Sequence, residues 1–476
     1  MRCIALRDAP SRLDRFSAIK CVNPITTRSR SPLLALAALI SLVLLPGTYG
    51  PARAAPNILL IIADDMGLDA SPCYDVGAWK PAMPNLEQLC REGVVFDNFY
   101  AAPMCSPTRA TIMTGRYGFR TGVGTAVGRR SDNALKPTET TLFQYLDAYA
   151  QDPYAHGVIG KWHLSNESNG GSDHPRRAGV GYYAGVIEGT LEDYYNWPRT
   201  VNGDTEQVNR YVTTAMTDDA IAWIAAQGGR PWFLWLAYVA PHLPLHVPPQ
   251  ELHSVAGLTG ERQDIRARAL DYYFAALEAM DTEMGRLLES MPKAERENTV
   301  VIFIGDNGTP NQTVQAPFER RRAKASLYEG GTHVPLIVAG KGVTRRGARA
   351  ESLVNSTDLF ATIAELAGID MNSAPDRPED SISFAPLLEK SASGGRDYVY
   401  TELFGETRGN RQNQNGWAIR DGRWKYLHLD EQGDAFYDLA ADPFEQNNLM
   451  NGGLDGEEEA AFRRLQSAGH DLRAGY

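Results

Sequence analysis

Asn57-Ile58-Leu59-Leu60-Ile61-Ile62-Ala63-Asp64-Asp65 runs without a break from aliphatic and β-branched side chains into two adjacent carboxylates. A strand with one wet face alternates apolar and polar residues, whereas one buried on both faces reads as a continuous apolar run. The stretch therefore predicts a central strand of a large, mostly parallel sheet sandwiched by helices, an α/β fold. The same syntax returns in Thr299-Val300-Val301-Ile302-Phe303-Ile304-Gly305, which ends in Asp306-Asn307-Gly308. Ligand crevices of such sheets lie at the carboxyl ends of their strands, so three carboxylates and one amide are expected to meet there. Oxygen donors of this kind suit a hard cation, calcium or magnesium. Either pair alone reads as well as a turn or helix cap, because Asp and Asn favour both; two pairs at matching strand ends favour the metal.

Two further runs point the same way. Tyr154 to Gly160 leads into Lys161-Trp162-His163, and Trp232 to Val239 leads into Pro241-His242-Leu243-Pro244, so a cation or an imidazole stands at each strand end. His156, His174, His246 and His253 carry no such context and are read as structural. Between strands, Leu270 to Leu288 places Leu270, Tyr273, Phe274, Leu277, Met280, Met284 and Leu287 on one helical face, and Thr357 to Leu366 reads as a helix capped near Ser356 or Thr357 and ended by Gly368. Gly179 to Asn202, rich in tyrosine and glycine, reads as a loop that either walls a sugar or aryl pocket or packs as a surface insertion. After Met371 the texture turns polar, and short runs at Tyr398 to Thr401, Trp417 to Arg420, Trp424 to Leu427 and Ala435 to Asp438 precede a charged helix from about Glu457 to Leu472. These predict a small antiparallel sheet with a helix. The expected organisation is a leader over 1–54, a catalytic α/β domain over 55–375 and a small α+β subdomain over 376–476.

The leader rests on Arg2, Arg7, Arg12, Arg15, Lys20, Arg28 and Arg30 ahead of an apolar run from Leu33 to Leu45, with Ala52-Arg53-Ala54 as a small-x-small cleavage signal. The run is short for a bilayer span; a retained interfacial anchor is the alternative. Export to the periplasm or the medium is expected. Cleavage removes eight basic and two acidic side chains, carrying the net charge from -11 to -17. That acidity argues against nucleic acid as a partner, and an anionic substrate would need a local cluster of cations or a metal. Cys73, Cys90 and Cys105 survive cleavage. With Cys105 committed to chemistry, Cys73 and Cys90 either pair in an oxidising compartment or stay as two buried thiols.

Cys105-Ser106-Pro107-Thr108-Arg109, within Met104 to Gly115, reads as a loop that delivers Cys105 to the start of a helix. Ser106 or Cys105 can cap it, Pro107 suits its first position and Gly115 can end it. Arg109 then lies one turn along on the face of Cys105, where free backbone N–H groups favour an anion. An isolated cysteine in such a place is ordinarily a packed thiol. Here it stands with a predicted oxygen-rich metal site, with Lys161, His163 and His242, and with Lys324 of Lys324-Ala325-Ser326-Leu327-Tyr328-Glu329-Gly330-Gly331, ahead of a strand at Pro335 to Ala339.

Together these residues resemble the type I sulfatases of the alkaline phosphatase superfamily, arylsulfatase-like. The resemblance runs from Asn57 to the segment at Tyr437-Asp438-Leu439 and Asp442-Pro443. It implies an alkaline phosphatase-like sheet and hydrolysis of an aryl or carbohydrate sulfate monoester. In that family the motif cysteine is oxidised to formylglycine (3-oxoalanine), here Cys105, by a formylglycine-generating enzyme or a sulfatase maturase. A hydrated aldehyde can expel sulfate from its ester by deprotonating its second hydroxyl, which a serine ester cannot do. The resemblance further implies that Asp64, Asp65, Asp306, Asn307 and the modified Cys105 hold calcium, with magnesium the second choice. It implies that Lys161, His242 and Lys324 contact the sulfate, that Arg109 orients the diol, that His242 protonates the leaving alcohol and that His163 takes the proton releasing sulfate.

Two positions depart from the pattern: Ser165 stands where glycine is frequent, and His333 where arginine is usual. Both bear on pocket shape rather than on the assigned chemistry. The alternatives are a phosphate or phosphonate monoester hydrolase of the same superfamily and a glycan-binding homologue without catalysis. A thiolate phosphatase of the C-x5-R type is excluded, because Thr111 occupies the position of its arginine.

Overall fold

The structure, a computed structural model, describes residues 55–390, 395–405 and 414–474. The leader expected over 1–54 lies outside the described residues. Among the described residues, fourteen strands form two sheets. In chain order they are β1 (Asn57–Ala63), β2 (Val94–Tyr100), β3 (Ala155–Lys161), β4 (Tyr182–Val186), β5 (Trp197–Val201), β6 (Asp204–Val208) and β7 (Trp232–Ala237). Then follow β8 (Thr299–Gly305), β9 (Leu336–Gly340), β10 (Ala348–Asn355), β11 (Val399–Leu403), β12 (Gly416–Arg420), β13 (Trp424–Leu429) and β14 (Gly433–Asp438).

The large sheet has the order β10-β2-β9-β8-β1-β7-β3-β4-β5-β6. Its centre is parallel: β1 pairs in parallel with β8 and β7, and β3 with β7 and β4. β9 runs against both of its neighbours, and β5 and β6 close one edge antiparallel. β1 explains the continuous apolar run. Ile58, Leu60 and Ile62 enter one core, with Ile112, Met113, Leu142, Phe360 and Ile363 of the helices on that face. Leu59, Ile61 and Ala63 enter the other, with Leu86, Met216, Leu277, Met280 and Met284. Each fully buried aliphatic side chain contributes on the order of 1.5–3 kcal/mol, so a polar substitution anywhere in β1 disturbs the core on the side that residue faces.

The helix read from the apolar stripe spans Ala269–Ser290. The helix Asp358–Leu366 follows Thr357, whose hydroxyl does not cap it but donates to Asp380 O at 2.9 Å. The segment 179–202 departs from the loop expected there. Tyr182–Val186 and Trp197–Val201 are strands of the large sheet, and Tyr183 and Tyr194 are core residues. Of the tyrosines in that segment only Tyr195 stays substantially exposed, at 41 %. Cys73 and Cys90 form a disulfide, the first of the two alternatives left by the sequence.

The second sheet is an antiparallel meander, β11-β12-β13-β14. The helix Gly456–Arg473, opened by an Asp455/Glu458 capping box, packs Phe462 and Leu465 against its Tyr426 and Phe436. Its other face shares a core with Met104, Leu327 and Tyr328. Those residues adjoin Cys105 and Lys324, so the small sheet packs directly behind these two segments.

Candidate active site

The register of the central strands assembles the site. Ala63 is the partner of Gly305 across β1 and β8, which sets Asp64-Asp65 beside Asp306-Asn307. Asp65 N donates to Asp306 Oδ1 at 2.9 Å, and Asn307 Nδ2 donates to Asp65 Oδ1 at 2.7 Å. β3 delivers Lys161 as its last residue, and the chain beyond β7 delivers His242. Three of the six non-glycine residues with positive φ in the described chain, Asp65 (76°), His163 (57°) and Ala325 (68°), lie in or beside this cluster. Such backbone costs of order 1–3 kcal/mol per residue and persists where the surroundings impose it.

Cys105 opens the helix Cys105–Thr114. The capping expected of Ser106 or Cys105 does not occur. Met104 is the N-cap in extended conformation without a side-chain bond, and Pro107 falls at the third position. Ser106 Oγ is drawn elsewhere: it donates to His163 O at 2.8 Å and accepts from Val127 N at 2.9 Å. Gly115 ends the helix at φ 66°, where a Cβ would stand 2.7 Å from Pro378. The Cys105 thiol is 2 % exposed, 3.8 Å from Asp65 Oδ1 and 3.9 Å from Lys324 Nζ. Burial raises its pKa well above the usual thiol value, against the opposing pull of Lys161 and Lys324. It is therefore a neutral thiol and a poor nucleophile.

Around it, three carboxylates are matched by three cations. Lys161 Nζ lies 2.5 Å from Asp64 Oδ2, Lys324 Nζ 2.5 Å from Asp65 Oδ1, and Arg109 Nη2 2.8 Å from Asp306 Oδ2. Arg109 also donates to Lys161 O at 2.7 Å. Burial opposes ionisation of Asp65, but Lys324 and His242 outweigh it and hold its carboxyl below the usual range. Asp306 is pushed up to about 6 by burial and by Asp64. His242 is lowered to about 3 by burial and by Lys161. Its Nδ1 faces Leu243 O at 2.8 Å, so the proton sits there, and Nε2 points toward Asp65 Oδ2 at 3.7 Å. Burial and Lys161 likewise keep His163 neutral.

All ten residues expected at the site are thus brought into one cluster. Ligand atoms of Asp64, Asp65, Cys105 and His242 lie within 4.8 Å of one another. Asp64 Oδ1, Asn307 Oδ1 and His163 Nδ1 are buried without a hydrogen-bond partner. Buried polar atoms are ordinarily paired, and two orphaned oxygens in an acidic cluster are what a hard cation would satisfy.

Several supporting residues were not singled out by the sequence. Thr108 Oγ1 donates to Asp306 O at 2.6 Å, tying the Cys105 helix to the end of β8. Tyr273, read only as core, sends its hydroxyl to Asp65 O at 2.7 Å. Tyr194 holds His242 O at 2.5 Å. Gly189 leaves room for His163, whose Nε2 would lie 2.1 Å from a Cβ there. The signal available was the polar tip of tyrosine, which needs a partner when buried.

Trp162, between Lys161 and His163, donates its Nε1–H to His174 Nδ1 at 3.1 Å. Burial lowers His174 from 6.5 to about 4. The unfolded chain therefore binds a proton that the folded one refuses, and stability falls as pH drops from about 6.5 toward 4, by up to about 3 kcal/mol. Denaturant unfolding across that range should show a shallower acid slope in His174→Gln; an unchanged slope would assign the acid loss elsewhere.

The sulfatase family model matches residues 56–369. The chain belongs to the sulfatase family. A second model, N-sulphoglucosamine sulphohydrolase, C-terminal, matches residues 320–467 of this sulfatase. It is 30% identical over 402 residues to arylsulfatase G of Mus musculus, covering 73% of this chain and 72% of the relative. It is 27% identical over 498 residues to an N-acetylgalactosamine-6-O-sulfatase of Bacteroides thetaiotaomicron, covering 84% and 90%. Among solved structures, Ps i-CgsB in complex with a neocarrahexaose superposes with TM-score 0.71 at 24% identity, over 87% of this chain and 92% of that one. A protein in complex with its substrate D-glucosamine-2-N,6-O-disulfate superposes with TM-score 0.69 at 21% identity, over 88% and 98%. The mixed sheet with its small antiparallel companion is the sulfatase fold, and the chain is an enzyme of the sulfuric ester hydrolase class.

Proposed function

We propose that this sulfatase hydrolyses an aryl or carbohydrate sulfate monoester to alcohol and inorganic sulfate, with Cys105 converted to formylglycine and with calcium held by Asp64, Asp65, Asp306, Asn307 and the modified residue 105. The observation that carries the reading is a neutral, buried thiol facing a charge-balanced cluster that still contains two unpartnered oxygens. Calcium bound there supplies positive charge for a sulfate oxygen, and formylglycine supplies the hydrated nucleophile that a thiol of this pKa cannot replace.

The chain's own groups do the remainder. Asp64, Asp65 and Asp306 are already balanced by Lys161, Lys324 and Arg109, so an added cation leaves the crevice positive and receptive to an anionic ester. Lys161 and Lys324, each now hydrogen-bonded to a carboxylate, have further N–H groups to give to sulfate oxygens. An anion beside His242 favours its imidazolium, which can donate from Nε2 to the leaving oxygen while Leu243 O fixes Nδ1. His163, neutral with Nδ1 free, is the base for the proton whose removal releases sulfate. Arg109 holds Asp306 and the end of β3 in register.

The substrate class is a sulfated glycan or a small aryl sulfate. Relatives named for arylsulfates and for N-acetylgalactosamine-6-sulfate support both. Export to the periplasm or the medium is supported by the leader and by the Cys73–Cys90 disulfide, and maturation requires a formylglycine-generating enzyme or maturase in the host. The test is release of inorganic sulfate from aryl sulfate and from a panel of sulfated glycans, beside the matching phosphate and phosphonate esters. Turnover should be confined to sulfates, be lost on chelation and return with calcium. A preference for phosphonate, or full turnover after chelation, would overturn the reading.

A further inference from the structure

Glu329 stands five residues beyond Lys324, and Tyr100 five residues before Cys105. Their side chains meet: the Tyr100 hydroxyl donates to Glu329 Oε2 at 2.7 Å. Backbone bonds join the same two segments, from Ala101 N to Thr332 O and from Ala325 N to Pro103 O, both at 2.9 Å. His333 covers this junction, its ring stacked on that of Tyr100 with centroids 4.6 Å apart.

Both ring nitrogens of His333 face acceptors. Nε2 lies 2.7 Å from Asp97 O and Nδ1 2.9 Å from Glu329 Oε2. A carbonyl oxygen can only accept, so Nε2 carries a hydrogen. Glu329 is already an acceptor twice over, from Lys425 Nζ at 2.8 Å on Oε1 and from Tyr100 on Oε2. Tyr100 in turn accepts from Arg420 Nη1, which leaves its own hydrogen for Glu329. The Tyr100 hydroxyl is also 3.5 Å from Nδ1, but its hydrogen lies on the shorter bond to Glu329, so a doubly protonated ring satisfies both contacts of His333.

The surrounding charges agree. From the small sheet, Lys425 on β13 lies between two buried carboxylates, Glu329 at 2.8 Å and Glu445 at 2.9 Å, and Glu445 Oε2 accepts from Glu329 N at 2.6 Å. Arg420 on β12 reaches the cluster through Tyr100 and also donates to Asn98. On the other side Asp97 is paired with Arg349 of β10. Lys425 thus serves two carboxylates, and Arg420 adds its charge to Glu329 from behind Tyr100. Burial disfavours ionised Glu329, but Lys425 and His333 hold its carboxyl below the usual range, whereas burial pushes Glu445 up to about 7.

We propose that His333 is held as an imidazolium and is the positioning residue that keeps the Lys324 and Cys105 segments in register. This rests on Lys324 being a sulfate contact, as argued above. Loss of the ring proton would turn a lone pair of Nδ1 toward the Glu329 carboxylate and loosen the turn that carries Lys324.

Two measurements test this. Nitrogen-15 NMR of histidine-labelled full-length protein at about pH 7 reads the ring directly, with the signal assigned by its absence in His333→Gln or His333→Arg. Two protonated ring nitrogens are expected, and a neutral tautomer would overturn the proposal. The readout needs no turnover, so it stands or fails separately from the sulfatase reading. In the matured enzyme, His333→Gln should lower kcat by about tenfold. His333→Arg should restore most of it, because a guanidinium can donate to both Asp97 O and Glu329. An arginine variant no more active than the glutamine one, or a glutamine variant with full kcat, would overturn the positioning role.

Discussion

Replacing Cys105 by alanine is expected to abolish sulfate release, by at least about 10⁴-fold in kcat, because residues acting as one catalytic unit lose nearly all their effect together. The fold should survive. Only a sulfur atom is removed, its contacts with Asp65 and Lys324 are 3.8 and 3.9 Å long, and the change in stability should stay within about 1 kcal/mol. The same experiment should separate two chemistries. The thiol is buried and its pKa is raised by that burial, so a thiolate mechanism has no nucleophile to use. Activity in wild-type protein should therefore survive iodoacetamide and be lost to a carbonyl-directed reagent such as phenylhydrazine. The tryptic peptide containing residue 105 should have exchanged one sulfur and two hydrogens for one oxygen. Full activity in a preparation whose peptide keeps its sulfur would sink the formylglycine reading.

The part of this site that could be read from sequence is the part carried by short-range pattern. The apolar run Ile58 to Ala63 ending in Asp64-Asp65, and Val300 to Gly305 ending in Asp306-Asn307, announce both the strands and their chemistry, because a strand end fixes where the next side chain stands. The Cys105 motif announces a helix start for the same reason. What failed was local competition. Ser106 has the composition of a cap, yet its hydroxyl is claimed by His163 O and Val127 N, neither of which the motif contains. The tyrosine-rich segment 179–202 reads as a loop because its glycines outweigh its short apolar runs, but pairing of Tyr183 and Ala184 with Val158 and Ile159 makes it sheet. Glu329, Lys425 and Glu445 were invisible for a different reason. They are 96 and 116 residues apart along the chain, and each alone reads as a solvated charge.

The second large effect is expected at Arg109, and it separates support from chemistry. Its guanidinium is fully buried, bonded to Asp306 at 2.8 Å and to Lys161 O at 2.7 Å, with Asp64 Oδ1 at 3.8 Å. Burial works against its charge, and Asp306 and Asp64 more than restore it. Removing one partner of such a pair leaves an uncompensated buried charge, at a cost of about 3–5 kcal/mol, so Arg109→Met should lose that much in denaturant unfolding. Arg109→Lys should fall between the two, because a single ammonium on a shorter stem cannot bridge both Asp306 and the Lys161 carbonyl as the planar fork does. The proposed calcium site depends on the same ion pair. Asp306 is raised to about 6 even with the guanidinium present, and a carboxylate must be ionised to ligate. Calcium affinity of the wild type should therefore weaken as pH falls through about 6, and in Arg109→Met the weakening should begin at higher pH. Calcium titrations followed by thermal melting across that range would show it. Wild-type stability together with an unshifted pH dependence would mean that Arg109 is not what keeps Asp306 ionised, and the three-pair balance of the crevice would have to be redrawn.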